Sequence, residues 1–202
     1  MATITQPRNF QDLLAYKDGT DNIYELTEGK LIAVAPETYA NRQIAKYLAQ
    51  RLQQFFPLSL IELNGPEIEV APLPGMPVNR LPDLVVLHPD HPKMLANTNG
   101  VSMAMPPPQM IVEVVSPYKD GLDPNFTRDY VDKLQQYAIR GVPEYWIIDP
   151  QRQIIEVNCD PDQSRRSYLA QSNCKGADKV RSQLPELQNW EVTAAAVLKP
   201  GP

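Results

Sequence analysis

MIVEVVSPYKDGLDPNFTRDYVDKLQQYAIRGVPEYWIIDP, residues 110–150, decides how the rest of the chain is read. It opens on an apolar run of the kind found in strands buried on both faces, with a single acid, Glu113, set in its middle. Residues 126–140 then predict a helix, in which Lys133 is flanked by Tyr130, Leu134 and Tyr137, and Gly141 supplies a natural stop. VPEYWIID predicts a second strand, with QIIEVN as its hairpin partner across Pro150, Gln151 and Arg152.

Upstream, LPDLVVLHP (81–89) carries another continuous apolar run, and Asp83 stands at its head. LSLIELN (58–64) and EIEVAPL (67–73) are further strand candidates, separated by Gly- and Pro-rich breaks. Residues 38–56 place Ile44, Tyr47, Leu48, Leu52 and Phe55 at three- and four-residue steps, the pattern of an amphipathic helix. Glu37 or Thr38 can cap it, and Pro57 ends it. YELTEGKLIAVAP (24–36) reads as two short strands around Glu28 and Gly29, and residues 9–17 as a short helix. Residues 89–108, poor in periodicity and rich in Pro, Asn and Met, read as a long surface loop. SYLAQ and the LPEL segment predict one more strand and a short terminal element. The order of helix, strands, helix and strand favours an α/β fold, a mixed sheet with helices packed on it, in one domain over residues 1–202.

Composition bounds the function. Of 202 residues 43% are hydrophobic and 21% charged, ordinary globular values. The 21 prolines fall mostly between the apolar runs, as loop punctuation. A formal charge of −5 argues against a surface that neutralises a long nucleic-acid backbone. Any such contact must be local, assisted by bound cations, or weak. Cys159 and Cys174 form no CxxC pair and read as free thiols of a reducing cytosol. The N-terminus lacks the pattern of a signal peptide. No apolar run approaches the ~20 residues that span a bilayer, so a cytoplasmic protein without membrane partners is expected. The histidines of HPDHP read as a turn. No GxxxxGK[ST] or GxGxxG occurs, and Ser116 has no His near it in sequence.

Two acids remain to be explained. A carboxylate inside a central strand is costly unless it is paired or binds a metal. If the Asp83 and Glu113 strands are neighbours, the carboxylates converge. At ~4 Å and an effective dielectric of ~20 they would repel by about 4 kcal/mol. Either each meets a separate Arg or Lys, or lies on a solvated strand end, or the two share one positive centre. Lys133 is a candidate for that charge, with Asp129 one helical turn before it. Taken alone, Asp129 and Lys133 read as a surface salt bridge worth a few tenths of a kcal/mol.

The strings PDLVVL, IVEVVSP and DYVDKLQQYAIRGVPEYWIIDP, in that order, resemble the Uma2 family of bacterial restriction-endonuclease-like proteins. The similarity runs from YELTEGKLI to LPEL. It implies a PD-(D/E)XK core of αβββαβ topology and a metal-dependent endonuclease that hydrolyses phosphodiester bonds in DNA. Asp83 then matches the Asp of the PD step and Glu113 the acid of the (D/E)XK strand. Val115 stands where the motif places lysine, and the resemblance implies that Lys133 takes over from the following helix. Mg²⁺ or Mn²⁺ would be held by Asp83, Glu113 and the Val114 carbonyl, with Asp129 positioning Lys133. Glu25 and one of Glu67 and Glu69 are weaker candidate ligands. Where the family often has His at the start of the long helix, this chain has Ala40 and Asn41. A homodimer fits enzymes that cut both strands of a duplex. The alternative is a catalytically silent module of the same fold that binds nucleic acid or a protein.

Overall fold

The computed structural model describes residues 6–200. The chain begins with helix α1 (Phe10–Ala15), capped by the Asn9 side chain, and a hairpin of β1 (Tyr24–Thr27) and β2 (Lys30–Ala33). Helix α2 (Tyr39–Leu52) follows. Of the two expected caps it is Thr38 whose side chain accepts from Asn41 N. Three short strands come next, β3 (Ile61–Leu63), β4 (Glu67–Glu69) and β5 (Asn79–Arg80), and then the fully buried β6 (Leu84–Val86). Residues 58–60, expected as strand, form a 3₁₀ turn after Pro57.

Residues 89–108 are a correction to the expected surface loop. They contain a one-turn helix, α3 (His91–Met94), and a strand, β7 (Gly100–Val101), which runs parallel to β4. His91, Gly100 and Val101 are buried. Elements this short carry no periodicity to read. Gly100 is required there because α1 packs against its backbone: a Cβ would come within 2.6 Å of Leu14 Cδ1 and 2.7 Å of Phe10 Cζ.

Strand β8 (Met110–Val114) leads into α4 (Pro124–Thr127), then one wide turn at Arg128–Asp132, then α5 (Lys133–Arg140). In the wide turn Lys133 N–H bonds Arg128 O, five residues back, so the expected single helix is a helix with a π-turn inside it. Gly141 ends it at φ 77°, the left-handed conformation that glycine adopts without strain. The chain finishes with β9 (Glu144–Asp149), the long hairpin of β10 (Ile154–Asp162) and β11 (Ser167–Cys174), and helix α6 (Ala194–Leu198).

Six strands form the central sheet in the order β11-β10-β9-β8-β6-β3. Only β8 and β9 are parallel, the pair joined by α5. The succession α2, β3, β6, β8, α5, β9 is the αβββαβ order. Side chains alternate across the sheet. Leu84, Val86, Val112, Val114, Trp146 and Ile148 face α2 and α6, while Val85, Ile111, Val115 and Ile147 face Tyr137 and Ala138 of α5. Beside this core lies a three-stranded sheet, β5-β4-β7.

Candidate active site

The register of two fully buried neighbouring strands brings the two acids together. Leu84 pairs with Val112 in the antiparallel ladder of β6 and β8, so Asp83, one residue before β6, stands opposite Glu113. Asp83 is tied to the end of β8, its Oδ2 accepting from Val114 N at 2.6 Å. Both acids are buried, Asp83 at 7% exposure and Glu113 at 2%. Glu113 shares the β8 face of Ile111 and Val115, the face covered by α5.

Helix α5 and the wide turn before it supply the positive charge. Lys133 Nζ lies 2.8 Å from Glu113 Oε2 and 2.9 Å from Asp129 Oδ1. Tyr137 OH donates to Glu113 Oε1 at 2.8 Å, so both oxygens of Glu113 are engaged. Asp129 in turn takes a two-pronged contact from Arg128, Nε and Nη2 each at 3.0 Å. Tyr145 OH fixes the turn by donating to Asp129 O at 2.9 Å. The Asp129–Lys133 pair is therefore a buried link and not the surface bridge that spacing alone suggested. Val115, at the position where the motif has lysine, is a buried core residue.

Charge and burial compete here. Burial first, then the charges of Glu113 and Glu37, push the Asp83 carboxyl well above the usual carboxylate range. Burial also raises Glu113, with Lys133 opposing. Burial alone would lower the Lys133 ammonium, but Asp129 and Glu113 outweigh it and hold the lysine charged. Asp129 ends below its ordinary value despite its burial, because Lys133 and Arg128 both touch it. Lys133 and Arg128 contact Glu113 and Asp129, which leaves Asp83 as the acid without a cation in contact and the one that most favours keeping its proton.

Asp83 also lines a cleft together with Glu37, Asn41, Arg42, Lys46 and Asn64. Asn41, 5% exposed, donates to Glu37 Oε2 at 3.0 Å and to the Val114 carbonyl at 3.1 Å. In the sequence Glu37 reads only as a cap and Asn41 only as a departure from the family pattern. The available signal was their four-residue spacing across the start of α2, which puts both on one face.

The weaker candidates do not reach the centre. Glu25 is taken by buried Arg80, with Nη1 2.8 Å from Oε1, and Arg80 Nε donates to Gln136. Glu69 accepts from Met103 N at 2.7 Å within the small sheet, and Glu67 from Asn79 Nδ2 at 2.8 Å. The histidines do form a turn: His88 N–H meets His91 Nδ1, and His91 Nε2 meets Pro106 O. Both cysteines are free and buried.

Among the described residues no three His, Cys, Asp or Glu side chains converge as a metal cage. The oxygens on offer are those of two carboxylates, Asp83 and Glu113, and the Val114 carbonyl, which has a second lone pair besides the one Asn41 uses. Asp83 Oδ1 has no protein partner among the described residues. All-oxygen donors, few in number and including an acid with no cation in contact, fit a small hard cation that keeps several waters. They do not fit zinc.

Residues 10–195 match the model of the Uma2 family, described as "Putative restriction endonuclease", and the chain belongs to that family. Its fold is restriction-endonuclease-like. A crystal structure described as "a putative nuclease belonging to DUF820", from Anabaena variabilis ATCC 29413, superposes with a TM-score of 0.67 at 15% sequence identity, over 95% of this chain and 98% of that one. No curated protein matches the chain. No helix among the described residues is long and apolar enough to cross a membrane.

Proposed function

From its place in the Uma2 family, we propose that this protein is a metal-dependent endonuclease that hydrolyses phosphodiester bonds in DNA, with Asp83, Glu113 and Lys133 as its catalytic residues. The observation that carries the reading is the buried Lys133 held between Glu113 and Asp129, next to an Asp83 that has no cation of its own. A purely structural cluster would gain nothing from that uncompensated acid.

A Mg²⁺ or Mn²⁺ ion held by Asp83, Glu113 and the Val114 carbonyl would supply charge to offset the phosphate and to acidify a nearby water. The chain's own residues do the rest. Asp83, fixed through Val114 N, and Glu113, fixed through Tyr137 OH and Lys133, hold their carboxylates in place before substrate arrives, so little reorganisation is left for the reaction itself. Lys133 stays protonated between two acids, so it acts as a donor: its remaining N–H orients the attacking water and stabilises charge on the phosphate oxygens. Asp129 positions Lys133, and Arg128 positions Asp129.

One observation favours the catalytically silent alternative: both Glu113 oxygens already have protein partners. The two readings separate in a plasmid-nicking assay with and without EDTA. The nuclease reading requires nicking that depends on Mg²⁺ or Mn²⁺ and vanishes in Lys133→Met. Nicking that persists in EDTA, or in that variant, contradicts it.

A further inference from the structure

Helix α2 presents an unusual surface for a chain of net charge −5: it holds Arg42, Lys46 and Arg51 and no acid. Arg42 and Lys46 are four residues apart, hence on one face of the helix. Both are exposed, and both line the cleft that ends at Asp83. Neither takes part in an ion pair among the described residues. The buried face of the same helix, through Ile44, Leu48 and Leu52, is packed on the central sheet, so the ridge is rigidly placed. The cleft is small and opens to solvent.

We propose that Arg42 and Lys46 are the phosphate-binding residues of this protein, a two-cation ridge that lays the backbone of a nucleic-acid strand along α2 and leads its phosphate to Asp83. The inference rests on the nuclease reading of the centre and specifies where its substrate docks. It also meets the charge objection: the chain does not need a basic surface, because two unpaired cations at the mouth of the cleft make the contact locally. Asn64, across the cleft, contributes a neutral donor to the same strand.

The test is fluorescence anisotropy with a labelled mixed-sequence DNA duplex and the corresponding single strand, titrated at several salt concentrations. Wild type is compared with Arg42→Ala/Lys46→Ala and with Arg165→Ala/Arg166→Ala. The second pair lies on the exposed turn between β10 and β11, past Glu144 and so at the opposite end of the sheet from Asp149. Losing two phosphate contacts should weaken binding about tenfold or more. It should lower the slope of log K against log salt by about 1.8 for the duplex or about 1.4 for the single strand. The Arg165/Arg166 control should bind as wild type, and Arg42→Lys/Lys46→Arg should restore most of the affinity. An unchanged slope in the α2 variant overturns the proposal, and so does a wild type that binds neither probe at low salt. Manganese binding, followed on the same samples, should be retained in the α2 variant. DNA binding that depends on the ridge without any metal-dependent cleavage would leave the ridge standing and remove the nuclease reading.

Discussion

Lys133 is held by two acids, Glu113 and Asp129, and changing the lysine or one of the acids has different consequences. Removing its charge strands Glu113 and Asp129 as buried acids, and breaking such a pair costs about 3–5 kcal/mol. Lys133→Met should therefore lose both cleavage and stability, read by nicking and by urea denaturation. Glu113→Gln keeps the Tyr137 hydroxyl bonded and leaves Lys133 paired with Asp129. It should abolish cleavage with a far smaller change in the urea midpoint. Equal losses of stability in the two variants would show that the Lys133 contacts are not the ones holding the cluster. Cys159 offers a separate check. Burial, with Glu144 beside it, pushes its thiol up to about 12, and Cys174 is buried as well. The reactive thiolate is therefore scarce at pH 8. A disulfide reagent should titrate neither cysteine in the native protein and both after denaturation.

Helix α5 is aimed by what precedes and follows it. The wide turn at Arg128–Asp132 leads into α5 with Asp129 and Lys133 in contact, and Tyr137 reaches Glu113 one turn later. The stop at Gly141 sets where the chain turns into β9. An alanine there must adopt left-handed backbone at a cost of about 1–2 kcal/mol, and its Cβ would lie 3.0 Å from Gln163 Nε2, the flexible end of a side chain. Gly141→Ala should lower the melting temperature by roughly 2–8 °C and leave metal binding intact. No shift in a thermal melt would mean that the turn relaxes to another conformation. Helix α2 carries the other half of the site on its first turns, where Asn41 joins Glu37 to the Val114 carbonyl.

Across the fold, the parts legible in the sequence are those with long or repeated signals. The continuous runs at Leu84–Val86 and Met110–Val114 mark two fully buried neighbouring strands, and α2 shows its helical period. An acid within or at the head of such a run points to Glu113 and Asp83. Lys133 was visible through the family resemblance, since spacing alone made it a surface residue. What was not legible depends on contacts distant in sequence. The π-turn leaves the apolar pattern nearly unchanged, β7 is too short for any period, and Glu25 and Glu69 look like ligands until Arg80 and Met103 N are brought to them by the small sheet. The cleft beside Asp83 joins α2 to residues after β3 and before β6, a meeting that local pattern does not encode.

The most direct measurement is calorimetric titration of Mn²⁺ into the wild-type protein and into Asp83→Asn and Glu113→Gln, with nicking assayed on the same samples. The site described here predicts saturable binding to the wild type, marked weakening in both variants, and cleavage that follows metal occupancy. Absence of saturable binding, or binding that both variants retain, would contradict it and leave Asp83, Glu113 and Lys133 as a buried ion cluster.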